Sequence, residues 1–148
     1  MQDKYAGDVG DFGKFSLLRH LIDNTMTAGV IWYLFPDESR SQDGRFTSFL
    51  SNPGFQACDS SLCEKLTSVI NSQRSISALE TTGLLPSNTK YFSGKLDFHL
   101  QHQSQSKMDK NERKKKRKQW LEDAVRAVSD CNLIFLDPDN GLQIPSCP

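Results

Sequence analysis

Two short apolar runs, each followed by an acidic turn, most constrain the fold of this 148-residue chain. The first, "GVIWYLF" at 29–35, precedes "PDES", and the second, "LIFL" at 133–136, precedes "DPDNG". Because both runs are short and rich in β-branched and aromatic residues, they predict strands that are buried on both faces. The segment "KYF" at 90–92 predicts a shorter third strand.

Helical periodicity fills most of the chain between these strands. Apolar residues recur at intervals of three and four over 12–26, 60–71 and 109–128, and a short helix is expected in "SISALETTGLLP" at 75–86, ending near Gly83. The polar segment at 99–107 predicts a loop or frayed helix, and 37–56 predicts a loop with one helical turn. Five residues of the last helix are predicted to face inward: Trp120, Leu121, Ala124, Val125 and Val128.

Helices that alternate with apolar strands predict a single α/β domain over residues 1–148. Its sheet would be small, mostly parallel and Rossmann-like, either complete or as a shortened version of a larger fold. No apolar run approaches the roughly 18 residues of a membrane span, and the N-terminus carries charges where a secretory signal would be apolar. We therefore predict a cytoplasmic protein with no membrane partner, while the oligomeric state stays open.

The opening segment "YAGDVGDFGK" at 5–14 places glycines at every third position. It matches neither the phosphate loop GxxxxGK[ST] nor the dinucleotide pattern GxGxxG. One interpretation is helix capping, in which Asp11 accepts the free N–H groups of the first turn. The other is a site for a polar ligand or cofactor formed by Asp8, Asp11 and Lys14.

Polar side chains follow both predicted strands. Asp37 and Glu38 come after the first strand, while Asp137, Asp139 and Asn140 form the turn after the second. Because ligands bind at the carboxyl ends of parallel strands, both sets are candidates for one shared site. Asp37 and Glu38 would bind a cofactor ribose or Mg²⁺ or Mn²⁺, and the turn residues would be catalytic.

Charge is distributed unevenly, although the net charge is zero. Residues 107–118 hold eight basic and two acidic residues, a charge of +6, so the rest of the chain carries −6. Such density predicts contact with nucleic acid or another polyanion, the alternative being a solvated helix face. The candidate binding residues are Arg113, Lys114, Lys115, Lys116, Arg117 and Lys118.

Three segments together carry a resemblance to a known group. "GDVGDFGKF", "WYLFPDE" and "LDPDNGL" resemble the motifs of a family of bacterial and phage proteins without an assigned activity. The chain is also distantly similar to ribosomal-RNA adenine-N6 methyltransferases, since Asp137 and Pro138 match the first two positions of their Asp-Pro-Pro-[Tyr/Phe] turn. Asp139 replaces the second proline and Asn140 the aromatic residue. That resemblance implies a Rossmann-like fold and S-adenosylmethionine as methyl donor.

Three functions stay open at this point. The first is a nucleic-acid-directed methyltransferase-like domain, active or inactive. The second is a metal-dependent nuclease or phosphohydrolase that uses the same carboxylates. The third is a non-enzymatic phage or mobile-element protein that binds and inhibits a host protein complex.

Overall fold

The computed structural model describes residues 1–23, 25–36, 44, 46–100 and 103–138. The chain divides into two compact units. The sheet unit comprises residue 1, residues 28–36 and residues from 90 onward, and the helical unit comprises residues 2–27 and 37–89. The single domain expected from the sequence stays a prediction.

A three-stranded parallel sheet forms the centre of the sheet unit. Strand β1 (Ala28–Trp32) lies between β2 (Lys90–Phe92) and β5 (Leu133–Asp137), and both neighbours run parallel to it. Every residue of β1 is buried, as its continuous apolar run predicts. The predicted small, mostly parallel α/β fold is therefore confirmed, and all three expected strands are present.

Helix α5 (Lys110–Ala127) packs on one face of this sheet. Ile31 of β1 joins a buried cluster with Trp120, Ala124 and Val128 from the helix and its C-cap. Gly29 allows the close approach, since a Cβ atom there would lie 2.7 Å from the Cβ of Val128. The spacing of the three helix residues is the three-and-four pattern of an inward stripe.

The prediction that Leu121 and Val125 also face inward is wrong, since they are 50% and 55% exposed. Each follows an inward residue by one position, which is a rotation of about 100° around the helix. Gln119 and Asp123 lie on the opposite flank, where they share a cavity with Phe92 of β2. Leu121 and Val125 therefore lie on the β5 side of α5.

Strand β5 is also less buried than its apolar sequence predicts. Ile134 and Leu136 are 48% and 50% exposed. They pair with Gly29 and Ile31, so they point to the face of the sheet on which α5 packs. We call Leu121, Val125, Ile134 and Leu136 the apolar flank.

The segment predicted as a loop or frayed helix at 99–107 is extended instead. Strands β3 (His99–Leu100) and β4 (Gln103–Lys107) pair antiparallel. The segment is almost entirely polar, so it lacks the alternation of apolar and polar residues that would have indicated strands. A polar sequence can form such a ladder because its hydrogen bonds join main-chain groups.

The helical unit is built from α1 (Val9–Leu21), α2 (Pro53–Cys58), α3 (Ser60–Asn71) and α4 (Ile76–Thr81), with short 3₁₀ turns at Asp3–Tyr5 and Ser48–Ser51. Helix α3 has the predicted bounds, whereas most of α2 lies in the segment 37–56 that was predicted as a loop with one helical turn. Asn52 accepts the Gly54 N–H and Pro53 occupies the first turn, which starts α2 despite its turn-like sequence. Among the described residues, no helix is both long and apolar enough to cross a bilayer.

Helix α1 begins and ends earlier than the periodicity over 12–26 predicts. Asp23 accepts the backbone N–H and the hydroxyl of Thr25 at 2.7 and 2.6 Å. This local turn competes with helical hydrogen bonding, so the helix ends at Leu21. Its start depends on the opening segment.

Candidate functional site

The start of α1 is capped by Asp8. Its Oδ1 accepts the N–H groups of Gly10 and Asp11 at 2.9 and 3.2 Å. The sequence interpretation assigned this role to Asp11, which is wrong, because Asp11 lies inside the first turn. Capping is thus present, with the carboxylate three residues earlier than predicted.

Asp11 is fully buried and fixes the backbone before the helix. Its Oδ2 accepts the Gly7 N–H at 2.7 Å, and its Oδ1 lies 3.4 Å from the Lys14 ammonium group. A buried carboxylate is tolerated where it is both hydrogen-bonded and paired with a cation. The structure therefore brings Asp8, Asp11 and Lys14 together at the start of α1.

Arg74 closes this loop, and sequence analysis missed it. Its Nε donates to the Ala6 carbonyl, and its Nη2 donates to the Gly44 carbonyl at 2.5 Å. Burial lowers the pKa of the Arg74 guanidinium, an effect that the carboxylates of Asp8 and Asp11 oppose. Because 68 positions separate Arg74 from Ala6, no local pattern could have indicated the contact.

Two glycines of the opening segment should respond oppositely to alanine. Gly7 has φ +78°, and a Cβ atom there would lie 3.0 Å from the Ile70 side chain, whereas a Cβ atom at Gly13 meets nothing within 4 Å. We expect Gly7→Ala to lower the free energy of unfolding by about 1–2 kcal/mol, and Gly13→Ala to raise it by about 1 kcal/mol. Urea denaturation measures both. A destabilising Gly13→Ala would contradict this account of the loop.

Asp137 lies at the carboxyl end of β5, opposite Trp32 in register. Its side chain is buried, with 7% exposure, and its carbonyl accepts the Tyr33 N–H at 3.3 Å. From β1 the chain goes to β2 on one side, and later to β5 on the other. Such a reversal of strand order opens a crevice at the carboxyl ends, where α/β proteins bind ligands.

The other predicted rim residues, Asp37, Glu38, Asp139 and Asn140, lie outside the described residues. In the part of the chain that the structure describes, no three His, Cys, Asp or Glu side chains group as metal ligands. Whether the rim residues join Asp137 stays a prediction. The opening segment belongs to the helical unit and Asp137 to the sheet unit.

The basic run (residues 113–118) occupies the first half of α5 and covers several faces of it. Arg113 and Lys116 are half-buried, and the other four side chains are exposed. Lys116 donates to the Asp97 carbonyl, and the Arg117 guanidinium lies 5.0 Å above the ring of Phe98. These contacts anchor the inner side of the run. The outer side presents Lys114, Lys115 and Lys118, of which Lys118 lies 3.8 Å from Glu122.

The contacts of α5 show which edge of the sheet the basic run approaches. At the C-terminal end of the helix, Val128 packs over Gly29 near the start of β1. Further toward its N-terminus, the Trp120 indole N–H donates to the carbonyl of Gly94, just past the carboxyl end of β2, at 2.5 Å. The helix therefore runs antiparallel to the strands. Its basic half lies at the same edge of the sheet as Asp137.

A capping box begins α5, just ahead of these cations. Asp109 accepts the N–H groups of Asn111 and Glu112 at 2.7 and 2.9 Å, and the Glu112 carboxylate accepts the Asp109 N–H at 3.2 Å. The carboxylates offset the unfavourable placement of six cations near the positive end of the helix dipole.

This capping box should make the stability of the first turn of α5 depend on pH. The bonds from the Glu112 and Asn111 N–H groups, with smaller contributions from Lys115 and Arg113, hold the pKa of Asp109 below its ordinary 3.8. A lowered folded-state pKa means that the cap stabilises the helix fully above that ordinary value, and loses this effect as pH falls through the folded value. The Asn111 and Glu112 amide resonances should report the loss. Asp109→Asn, which still caps, should remove the pH dependence.

No family model matches this chain, and neither do curated proteins or solved structures. The chemistry available at the carboxyl ends of the described strands is that of the buried Asp137 carboxylate and, at the same end of the sheet, the cationic half of α5. Such an arrangement can hold a polyanion and orient a polar group near it.

Proposed function

We propose that this chain is a nucleic-acid-directed, methyltransferase-like domain, in which the basic run holds the phosphate backbone next to the sheet edge that carries Asp137. The observation that supports the proposal is that the basic run and Asp137 lie at the same end of the sheet, where the strands have their carboxyl ends. The cationic half of α5 extends past the carboxyl end of β2, and β5 ends there in Asp137. Lysines without specific base contacts bind phosphates of any sequence.

S-adenosylmethionine is the cofactor that the sequence resemblance suggests, but the described residues do not build a cradle for it. The chain after β1 continues as Tyr33–Pro36, with no glycine to let a ligand approach the backbone. The Asp8 and Asp11 carboxylates accept N–H groups of their own loop. Calorimetry tests the cofactor separately. Heat of binding at micromolar cofactor would support a methyl donor site, and its absence would leave a nucleic-acid-binding domain.

The nucleic-acid proposal is tested by reversing the exposed charges of the basic run. Filter retention of labelled RNA and single-stranded DNA would be compared between the unaltered chain and the Lys114→Glu, Lys115→Glu, Lys118→Glu variant. We expect the variant to lose retention at low salt, because its charge falls by six where phosphates would bind. Circular dichroism checks that the helix is retained. Equal retention by the two proteins would refute the proposal.

A second candidate function, binding to a partner protein, is supported by the apolar flank. Four large apolar side chains at about half exposure are unusual on one face, and contiguous patches of this kind mark protein interfaces. Lys118 and Arg117 precede Leu121 on the helix, so the partner would combine apolar and acidic side chains. A protein captured from nuclease-treated lysate by the unaltered chain, but lost with Leu121→Ser and Leu136→Ser, would support this function. Equal capture of the partner with and without the Leu121→Ser and Leu136→Ser substitutions would contradict it.

A further inference from the structure

A cavity of about 290 Å³ opens on the sheet unit between the end of β2 and the flank of α5. Its volume is near the lower end of known small-ligand sites, about 300 Å³, so it has room for one ring system and not for a dinucleotide. It lies at the base of the basic run. The cavity has an aromatic floor of Phe92 and Trp120 and a polar rim of Lys95, Lys116, Gln119 and Asp123.

The floor presents aromatic carbon to the cavity. The rings of Phe92 and Trp120 meet edge to face, with centroids 5.4 Å apart and an angle of 72° between planes. The indole N–H of Trp120 is used by the Gly94 carbonyl. Gly94 also leaves space for the phenyl ring, since a Cβ atom there would lie 2.7 Å from the Phe92 Cζ.

The rim combines cations with hydrogen-bonding groups. Lys95 is exposed and Lys116 half-buried, so two ammonium groups border the opening. The Gln119 amide donates to the Asp123 carboxylate at 3.1 Å, which holds both side chains at one edge. An aromatic floor bordered by two cations, an amide and a carboxylate matches a base, its phosphate and its polar edge.

We propose that this cavity binds one unstacked nucleobase, with the neighbouring phosphate against Lys95 and Lys116. The inference rests on the proposed nucleic-acid function and adds that the bound strand is single-stranded at this point. The Asp123 carboxylate accepts from an exocyclic amine such as that of cytosine. It repels the carbonyl oxygens of uracil or thymine.

Fluorescence anisotropy with the unaltered chain tests the assignment. A labelled single strand of cytidylates is compared with a strand of the same length that has abasic sugars. One base bound at an aromatic site is worth about 1–3 kcal/mol, so we expect the cytidylate strand to bind about tenfold more tightly. A thymidylate strand should bind with an affinity between those of the cytidylate and abasic strands. Asp123→Asn should reduce the difference in affinity between the thymidylate and cytidylate strands.

Three variants separate the cavity from general packing. Phe92→Leu should remove the preference for bases, and Phe92→Tyr should retain it. Tyr91→Leu, which removes a ring from the other face of the same strand, should leave the preference unchanged. Cytidine monophosphate would compete if the cavity accepts a free nucleotide, and would not compete if the base must come from a strand. Either result is consistent with a base site, which takes its base from a free nucleotide in the first case and from a strand in the second.

Equal affinity for the abasic and cytidylate strands would overturn the base site, while leaving phosphate binding by the basic run intact. Failure of every strand to bind at low salt would overturn the proposed function and the base site together. The two failures are therefore distinguishable in the same titration.

Discussion

Replacing Trp120 with alanine is expected to lower the free energy of unfolding by about 3–5 kcal/mol, the usual cost of removing a buried aromatic side chain. Trp120 is 7% exposed and joins the cluster between α5 and β1. Its ring lies 4.4 Å from that of Tyr33, centroid to centroid. The substitution also leaves the Gly94 carbonyl without its indole donor.

Urea denaturation followed by circular dichroism measures this effect. Trp120→Phe should cost less, because it keeps one aromatic ring in the cluster and loses the indole N–H and the volume of the second ring. Leu121→Ala is the matched control on the same helix, and its half-exposed side chain should cost under about 1 kcal/mol. Similar losses for Trp120→Ala and Leu121→Ala would contradict the assigned orientation of α5.

Replacing Asp11 with alanine should lower the free energy of unfolding by about 1–3 kcal/mol, because a buried N–H loses its acceptor. The Gly7 N–H would be unpaired, and the Lys14 ammonium group would lose its carboxylate at 3.4 Å. Gly7 must hold a positive φ for the loop to reach α1. We therefore expect Asp11→Ala to reduce the order of the whole opening segment as well as the stability of the fold.

Asp11→Asn is the informative comparison, since its amide oxygen can still accept from Gly7 while the charge is absent. We expect it to recover part of the lost stability in thermal denaturation. Amide hydrogen exchange at Gly7 should quicken in the alanine variant and less in the asparagine variant. Unchanged stability in both variants would contradict a structural role and favour the ligand-binding interpretation of Asp11.

Strands β1 and β5 could be predicted from the sequence because each is a short apolar run with a turn signal after it, whereas the polar β3 and β4 were predicted as a loop or frayed helix. "GVIWYLF" indicates burial by composition alone, and β1 is buried throughout. The same composition misleads at β5, since burial of an edge strand depends on what covers it. Ile134 and Leu136 are as apolar as Ile31, yet half of each side chain is exposed.

For the candidate site too, the sequence predicted some features correctly and others incorrectly. Local spacing correctly placed a capped helix start in the opening segment and the basic run on a helix. It assigned the cap to Asp11 instead of Asp8, because the correct choice depends on the backbone direction at Gly7. The cavity beside α5 was not predicted. It combines Phe92 with Gln119 and Asp123, which only the packing of α5 on β2 brings together.

The salt dependence of nucleic-acid affinity tests the central claim most directly. Affinity for a short single strand would be measured over a range of salt concentrations, for the unaltered chain and for the Lys114→Gln, Lys115→Gln, Lys118→Gln variant. Each lost phosphate contact on a single strand should reduce the slope of log affinity against log salt by about 0.7. A control that neutralises Lys4, Lys65 and Lys90 removes the same charge away from the basic run and from the proposed base site.

We predict a slope reduced by about 2 in the basic-run variant, and an almost unchanged slope in the control. An equal change in both proteins would mean that net charge, and not the basic run, determines binding. An unchanged slope in the basic-run variant would contradict the account.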